Sequence, residues 1–339
     1  MSHRARIGIT IGDPSGIGPE LALRVASRLE DFPFVELTLI GNHSLLSRVA
    51  KKLKLQVPTY NETGMWLASK QYSSVLSKSE AVSITVGNLD ANCVEPGNWS
   101  LQTGLASFEW VRFAILAALS GRLDAIVTGP IQKEAWREAG ISQAGHTEVF
   151  AELTNSDEYA MLMTCRHISC VLVTSHLPFA DVAASLTQEK ILRAIRLGSK
   201  AIQNKSLRFA GRFPRIAVCG LNPHAGENGL LGHCEESDVI IPAIQQAKEL
   251  GIDIVGPLAP DTAFVPERRR EIDLYVCMYH DQGLIPLKAL AFDEAVNVTI
   301  GIPIVRTSVG HGTGMDIAWQ GSAKENSLIF AVREALSLI

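Results

Sequence analysis

The sequence is poor in the features that mark membrane proteins and nucleic-acid-binding proteins. No uncharged apolar run approaches the ~20 residues that a helix needs to cross a bilayer. The 31 Lys and Arg residues do not outnumber the 35 Asp and Glu residues, and the formal net charge is −4. A protein that binds nucleic acid by neutralising phosphates usually has a basic excess or a basic stripe. We therefore expect neither a membrane nor a nucleic acid as partner.

The cysteines and the first residues of the sequence indicate the expected compartment. The six cysteines form no C-x-x-C pair, and most lie in apolar runs such as Ile216-Ala217-Val218-Cys219. This usage predicts buried thiols in a reducing compartment. The chain passes within a few residues of Met1 into a strand-like run over residues 6–10, which leaves no space for the apolar stretch of a signal peptide. We expect a cytoplasmic protein.

Length and periodicity predict an α/β protein with two domains. The chain has 339 residues, and ~150 residues are typical of one domain. Short β-branched runs alternate with amphipathic segments of helix length, which is the pattern of strands joined by crossover helices. The predicted strands span residues 6–10, 36–40, 124–128, 170–174, 215–220, 274–278 and 296–300. The predicted helices span residues 19–28, 101–119, 188–204 and 237–250. Residues 55–95, which include Gln71-Tyr72-Ser73-Ser74, are the least regular and predict surface strands or an excursion from a sheet.

A glycine-rich loop follows the first predicted strand. The segment Gly12-Asp13-Pro14-Ser15-Gly16-Ile17-Gly18-Pro19-Glu20 leads into a helix and could present backbone N–H groups to an anion. The spacing is not that of a Rossmann fingerprint, because Leu21 occupies the third glycine position. The next predicted strand ends in Ile40-Gly41-Asn42, without the acid that binds a ribose. Ligand contact and a tight turn both explain these glycines.

Three of the nine histidines come directly after strand-like runs. His176, His224 and His280 each lie in a loop at the end of a different predicted strand. In parallel α/β sheets, ligands bind outside the carboxyl ends of the strands. One histidine in such a loop is commonly a satisfied loop residue, but three in corresponding places favour a divalent metal site with an open position. The cluster Cys165-Arg166-His167-Ile168-Ser169-Cys170 is interpreted as structural, because strand alternation places its side chains on different faces.

Other residues are candidates for anion recognition. Thr147, in Gly145-His146-Thr147-Glu148, is predicted to cap an apolar helical segment and expose N–H donors. Asn297 alternates with valines in a predicted strand. Lys288 is a single cation among apolar neighbours, and Arg306 ends an otherwise apolar stretch that begins at Ile300. Anion binding and a solvated position at the end of an element explain both cations equally well.

Taken together, these segments resemble the 4-hydroxythreonine-4-phosphate dehydrogenase family of pyridoxal phosphate biosynthesis. The match covers about residues 6–320 in order, and the Asn-Pro-His-Ala-Gly and Tyr-His-Asp-Gln-Gly blocks are highly specific. The segments that carry it are Gly12–Glu20, Thr128–Lys133, Gly145–Glu148, Gly220–Glu227, Gly256–Thr262, Tyr279–Gly283 and Arg306–Thr313.

The resemblance implies a two-domain isocitrate/isopropylmalate dehydrogenase-like fold that binds NAD or NADP without a Rossmann fingerprint. It also implies a homodimer with the active site near the subunit interface. We expect a first domain over residues 1–130 and 295–339, and a second over 131–294 that carries most metal and substrate ligands.

The resemblance also implies roles for individual residues. The ligands of one divalent ion (zinc, magnesium or cobalt) would be His176, His224 and His280. The substrate contacts would be His146, Thr147, Lys288, Asn297 and Arg306. The proton-transfer role falls to Lys288, and His146 is the second catalytic candidate. The candidate cofactor contacts are Gly12, Asp13, Gly310, His311 and Asp316.

The implied reaction is oxidation of a phosphorylated hydroxy-amino acid, 4-phosphohydroxy-L-threonine, to a β-keto acid that loses carbon dioxide. Relatives that oxidise D-threonate or D-erythronate 4-phosphate would share the three histidines, so these cannot choose between the substrates. A metal-dependent hydrolase that needs no NAD would use the same ligand type. A binding protein without catalysis is a further alternative, which the intact histidine set and Lys288 disfavour.

Overall fold

The computed structural model describes residues 4–68, 79–203 and 213–339 and divides into two compact α/β units. Unit 1 comprises residues 1–157 and 302–337, and unit 2 comprises residues 158–301. The predicted stretch Gln71-Tyr72-Ser73-Ser74 lies outside the described residues. No helix in the described part of the chain is long and apolar enough to span a membrane.

The described residues of unit 1 form six parallel strands in the order β3-β4-β2-β1-β5-β12. The strands are β1 (Ala5–Thr10), β2 (Val35–Gly41), β3 (Thr59–Tyr60), β4 (Glu80–Thr85), β5 (Ala125–Thr128) and β12 (Val305–Val309). The helices are α1 (Gly18–Ala26), α2 (His43–Leu53), α3 (Thr63–Ala68), α4 (Leu101–Leu119), α5 (Lys133–Glu138), α6 (His146–Leu153) and α13 (Asn326–Leu338). Strand β5 is buried along its whole length and β1 is buried from Ile7 to Thr10, and both are mostly apolar, as expected of a sheet covered on both faces.

In unit 2, the part of the chain that the structure describes forms six strands in the order β11-β6-β7-β10-β8-β9, in which β6 is antiparallel to both of its neighbours. The strands are β6 (Ala160–Thr164), β7 (Ser169–Leu172), β8 (Ile216–Cys219), β9 (Ile254–Leu258), β10 (Leu274–Cys277) and β11 (Val296–Ile300). The helices are α7 (Val182–Ser185), α8 (Gln188–Gln203), α9 (Ile241–Glu249), α10 (Pro260–Ala263), α11 (Pro266–Glu271) and α12 (His280–Ala291). Strands β7, β10 and β8 are parallel neighbours, so their carboxyl ends lie at one edge.

The boundaries of the two units differ from those expected from the sequence. Residues 131–157 belong to unit 1, because α4 packs against α5 and α6 and the Trp136 indole donates a hydrogen bond of 2.8 Å to Ser107 Oγ. Residues 295–301 belong to unit 2, because β11 pairs with β6, with Val298 opposite Leu162. His146 and Thr147 therefore lie in the first unit, and Asn297 lies in the second.

All six cysteines carry free thiols, but two of them are not buried as predicted. Cys93 and Cys234 are exposed. The four buried cysteines belong to the apolar core of unit 2 and are Cys165, Cys170, Cys219 and Cys277. Hydrogen bonds with the Cys170 and Cys219 thiols, followed by burial, raise the pKa of Cys277, which keeps it protonated inside the core.

Candidate active site

His176 and His280 lie together beyond the ends of two adjacent parallel strands of unit 2. Their ring centroids are 5.9 Å apart. The chain segments after β7 and β10 stay paired past the strand ends, since Thr174 N donates to Met278 O at 3.2 Å. His280 then begins α12, and its Nδ1 lies 2.7 Å from Asp281 Oδ1. An imidazole oriented by a carboxylate at one nitrogen is a common arrangement of metal-binding histidines.

His224 lies in a left-handed turn after β8, the strand on the other side of β10. Residues 224–228 have φ angles of 53°, 53°, 76°, 44° and 58° in succession. Left-handed backbone costs roughly 1–2 kcal/mol for each residue other than glycine. Gly226 is therefore well suited to the turn, but His224, Ala225 and Glu227 are strained. Such strain persists only where the surroundings hold the chain in place.

The three histidines have the donor chemistry of a site for a borderline divalent cation. They follow three neighbouring strands, and the rings of His176 and His280 are close enough to share a ligand. Within the residues that the structure describes, no group of three His, Cys, Asp or Glu side chains is assembled for an ion in this single chain. The residues therefore fit a metal by type and by strand position, and the role predicted for His224 stays a prediction.

Two basic residues of unit 1, Arg306 and His146, form a second candidate region. The Arg306 side chain on β12 is 2% exposed, and its Nη2 donates to Thr128 Oγ1 on β5 at 2.8 Å. The guanidinium carbon lies 5.5 Å from the centroid of the Phe150 ring. His146, the first residue of α6, packs edge-on against Trp136 at 5.7 Å between ring centroids. The alternative that Arg306 is a solvated residue at the end of an element is therefore wrong.

Burial changes the titration of both basic residues in this region. Burial lowers the pKa of Arg306 to about 9, and Glu148 opposes the shift. Burial, followed by the charges of Arg306 and Lys133, holds the pKa of His146 well below its ordinary value. His146 is thus neutral at pH 7, and its buried Nε2 has no hydrogen-bond partner among the described residues. A buried cation beside an unused imidazole nitrogen suits an anionic ligand with further polar groups.

Thr147 does not cap α6 as the sequence predicts. The helix begins at His146, its cap position is Gly145, and no side chain caps it. Thr147 consequently lies within the first turn. The extended backbone of Gly145 leads directly into the helix, which displaces the cap position by two residues from the one expected.

Lys288 and Asn297 lie in unit 2. Lys288 is half-buried in the last turn of α12, and its ammonium nitrogen lies 5.9 Å from the centroid of the Phe292 ring. Asn297 lies on β11, where its buried Oδ1 has no hydrogen-bond partner among the described residues. An unsatisfied buried amide oxygen suggests a polar ligand. The substrate contacts of both residues stay predictions.

The glycine loop after β1 is explained by packing within the chain. A Cβ at Gly12 would lie 2.4 Å from Pro130 O, and one at Gly18 would lie 2.0 Å from Ile11 O. Asp13 is fully buried, and its Oδ1 accepts the Ser15 amide at 2.9 Å. Burial raises the pKa of Asp13 to about 6. The cofactor contact predicted for Gly12 and Asp13 stays a prediction, and the tight turn accounts for the glycines without it.

The loop after β12 is more accessible. Gly310 N donates to Ser327 Oγ at 3.1 Å, and the partly exposed His311 contacts Gly312 O through Nδ1 at 2.9 Å. Asp316 is exposed in a short 3₁₀ turn. A polar loop with an exposed carboxylate suits hydroxyl groups of a nucleotide, so these three residues fit the predicted cofactor contact by type.

Comparison with known proteins decides the family. The family model described as pyridoxal phosphate biosynthetic protein PdxA matches residues 34–335. The chain belongs to the PdxA family. A 4-hydroxythreonine-4-phosphate dehydrogenase from a Sulfurihydrogenibium species is 41% identical over 98% of this chain and 98% of its own. A protein of Oceanobacillus iheyensis, provisionally named D-threonate 4-phosphate dehydrogenase, is 39% identical over 100% of this chain and 99% of its own.

Solved structures confirm the fold class. The crystal structure of 4-hydroxythreonine-4-phosphate dehydrogenase from Klebsiella pneumoniae matches with a TM-score of 0.85 and 34% sequence identity. The match covers 98% of this chain and 99% of that one. The α/β fold and the PdxA family resemblance expected from the sequence are therefore confirmed.

Two polar residues near the histidine loops were not predicted from the sequence of this PdxA-family chain. Gln282 Oε1 accepts Met278 N, and its Nε2 donates to Gly220 O, both at 2.7 Å. The buried Glu236 accepts two backbone amides at the start of the His224 turn. Gln282 lies inside the Tyr279–Gly283 block, and the specificity of that block could have indicated a role for this residue. Nothing in the local pattern distinguishes Glu236 from its exposed neighbours.

Proposed function

We propose that this PdxA-family chain oxidises 4-phosphohydroxy-L-threonine at its 3-hydroxyl group, with NAD or NADP and a divalent cation. The product is a β-keto acid that decarboxylates to 3-amino-2-oxopropyl phosphate. The observation that carries the proposal is the pairing of the His176 and His280 rings at the ends of adjacent strands, with His224 after the next strand. The names of the 4-hydroxythreonine-4-phosphate dehydrogenase relatives support the same reaction.

His176, His224 and His280 would hold the cation, and their imidazole nitrogens favour zinc or cobalt over magnesium. When bound, the cation stabilises negative charge on the substrate hydroxyl oxygen while the nicotinamide accepts the hydride. The carboxylate of Asp281 orients His280 through Nδ1, which leaves Nε2 for the cation.

The remaining residues would bind substrate and move its proton. Arg306 would hold the phosphate or carboxylate, because a buried guanidinium gains most from an anionic partner. Neutral His146 would hydrogen-bond the same ligand through Nε2, and Thr147 and Asn297 would supply further polar contacts. Lys288 would serve in transfer of the hydroxyl proton through Nζ.

The nucleotide contacts proposed are Gly310, His311 and Asp316, together with Gly12 and Asp13. The active form proposed is a homodimer. Sedimentation of the purified protein at several concentrations tests the dimer, and a species of monomer mass throughout would contradict it.

The deciding experiment compares reduction of NAD with 4-phosphohydroxy-L-threonine and with D-threonate 4-phosphate. We expect reduced cofactor to form only with the first substrate, in step with 3-amino-2-oxopropyl phosphate. Turnover of phosphorylated substrates without any nicotinamide would instead favour a metallohydrolase and overturn the proposal.

The second candidate is D-threonate or D-erythronate 4-phosphate dehydrogenase activity. It is favoured by the full-length match to the Oceanobacillus protein. The two substrates differ at the carbon next to the carboxylate, where one has an amino group and the other a hydroxyl group. Reduction of NAD with D-threonate 4-phosphate alone would establish this candidate in place of the first.

A further inference from the structure

The turn that carries His224 is held from outside, because its left-handed backbone is not one that its own residues favour. The β8 end of the loop is fixed by Gln282, which hydrogen-bonds both Gly220 O and Met278 N. This side chain ties the segment before His224 to the segment before His280. Within the loop, Leu231 N donates to Gly226 O at 3.1 Å and closes the turn.

The main support of the turn is the buried carboxylate of Glu236. Its Oε1 accepts the amides of Leu221 and Asn222 at 2.9 and 2.8 Å. Its Oε2 accepts the Asn222 side-chain amide at 3.0 Å. A Cβ at Gly226 would lie 2.6 Å from the same Oε2, so the left-handed turn packs directly over the carboxylate.

Glu236 is the first residue of an irregular helical turn. Residues Glu236–Ile240 form a π-helical turn immediately before α9. Such turns are frequent at functional sites. Glu236 is 5% exposed, whereas Asp238 in the same turn is exposed and accepts a hydrogen bond from Ser237 Oγ at 2.7 Å. The two acids therefore differ in burial and partners within one turn.

We propose that Glu236 is a positioning residue that fixes His224 in the orientation needed to bind the divalent cation. The proposal rests on the proposed function, since it takes His224 as a ligand. Glu236 acts through the Leu221 and Asn222 amides and through the packing of Gly226, and it does not itself need to touch the cation. Residues that orient metal ligands typically change metal affinity 10–100-fold when they are replaced.

Titration of the metal-free protein with Co²⁺, followed by its visible absorption, tests this role without turnover. We expect Glu236→Gln to weaken Co²⁺ binding at least ~10-fold and to alter the absorption spectrum. The glutamine side chain has the same shape as glutamate. Its amide nitrogen is a hydrogen-bond donor, however, and would face N–H donors of Leu221 or Asn222. Asp238→Asn is the matched control and should bind Co²⁺ as the unaltered protein does. Glu236→Asp, which keeps the charge, should recover part of the affinity.

The increase in melting temperature on adding Co²⁺ separates positioning from general stability. We expect this increase to shrink in Glu236→Gln. If only the metal-free melting temperature falls, while Co²⁺ affinity and spectrum are unchanged, Glu236 is merely structural and the proposal is overturned.

Two further variants keep the test decisive. If Glu236→Gln does not fold, Asn222→Ala removes the side-chain amide between Glu235 and Glu236 and should weaken Co²⁺ binding in the same direction. Unchanged binding in that variant would count against the proposal. His224→Ala and His280→Ala test the proposed function separately. If both variants bind Co²⁺ with full affinity, these histidines do not form the metal site and the proposed function is contradicted.

Discussion

Individual buried charged residues indicate more about the roles of residues in this chain than its net charge does. Arg306 and Asp13 are both enclosed in unit 1, yet one is a cation beside Thr128 and the other is a carboxyl group beside Ser15. A buried charge is unfavourable unless it is paired or hydrogen-bonded. The hydrogen bond to Ser15 accounts for Asp13 within the tight turn, whereas for Arg306 we propose an anionic ligand in addition to Thr128.

Replacing Arg306 with Met should weaken binding of phosphorylated substrate by roughly 10–100-fold, because a charge-assisted hydrogen bond contributes about 1.5–3 kcal/mol. Calorimetric titration with the substrate measures the change. Arg137→Met removes an exposed arginine from α5 and is the matched control. Wild-type affinity in Arg306→Met would show that the buried guanidinium does not contact substrate.

The buried Asp13 leads us to predict how the stability of the fold depends on pH. Its pKa rises from 3.8 to about 6 in the folded chain, mainly because it is buried. The folded state thus binds the proton more tightly than the unfolded state, and stability is lost as the pH rises from about 4 through about 6. Asp13→Asn should remove this loss and stabilise the protein at about pH 8 by up to ~3 kcal/mol.

Urea unfolding of Asp13→Asn at several pH values checks this prediction. All five tryptophans lie in unit 1, so their fluorescence reports on the unit that contains Asp13. The advantage of the variant should shrink as the pH is lowered towards about 4. Glu30→Gln neutralises an exposed carboxylate and serves as the control. If the difference in unfolding free energy between Asp13→Asn and the unaltered protein does not depend on pH, the raised pKa of Asp13 is contradicted.

Among the elements, the start of α1 shows how closely a helix can approach a strand. Gly18 begins the helix where its α-carbon faces Ile11 O at the end of β1. The neighbouring Pro19 suits the first turn, as the sequence predicts. The proximity of two backbone segments, and not helix propensity, requires glycine here.

Gly18→Ala should destabilise unit 1 by about 3 kcal/mol or more, because the added carbon would lie 2.0 Å from a backbone oxygen. Gly64→Ala in α3 is the matched control, since nothing lies within 4 Å of its added carbon. That control should gain about 0.5–1 kcal/mol from helix propensity. Unfolding of both variants, followed by tryptophan fluorescence, measures their free energies of unfolding. Equal values for Gly18→Ala and Gly64→Ala would refute the packing argument.

For the whole molecule, removal of divalent cations should abolish NAD reduction, and added Zn²⁺ or Co²⁺ should restore it. The physical reason is that the proposed alcohol oxidation develops negative charge on an oxygen that needs a Lewis acid. His280→Ala should resist restoration at the cation concentration that suffices for the unaltered protein. His167→Ala alters an exposed histidine of the same unit and should behave normally. Undiminished activity after complete chelation would reject a metal-dependent mechanism.

The local sequence pattern predicted individual helices and strands better than it predicted how the strands pair. The predicted helix over 101–119 and strand over 296–300 match α4 and β11 residue for residue. Strands β6 and β9, however, were not predicted, because their short runs carry proline, glycine or methionine instead of continuous β-branched residues. The antiparallel pairing of β6 follows from partners distant in sequence.

The sequence alone determined the α/β class, the family and the strand-end positions of three histidines, because periodicity and motif spacing are local properties. Only the tertiary structure decided that Arg306 is buried, that His146 belongs to unit 1 and that Glu236 supports the His224 turn. Burial and hydrogen bonding arise between residues far apart in the chain. Glu236 and Asp238 lie two positions apart, yet packing encloses one and leaves the other in solvent.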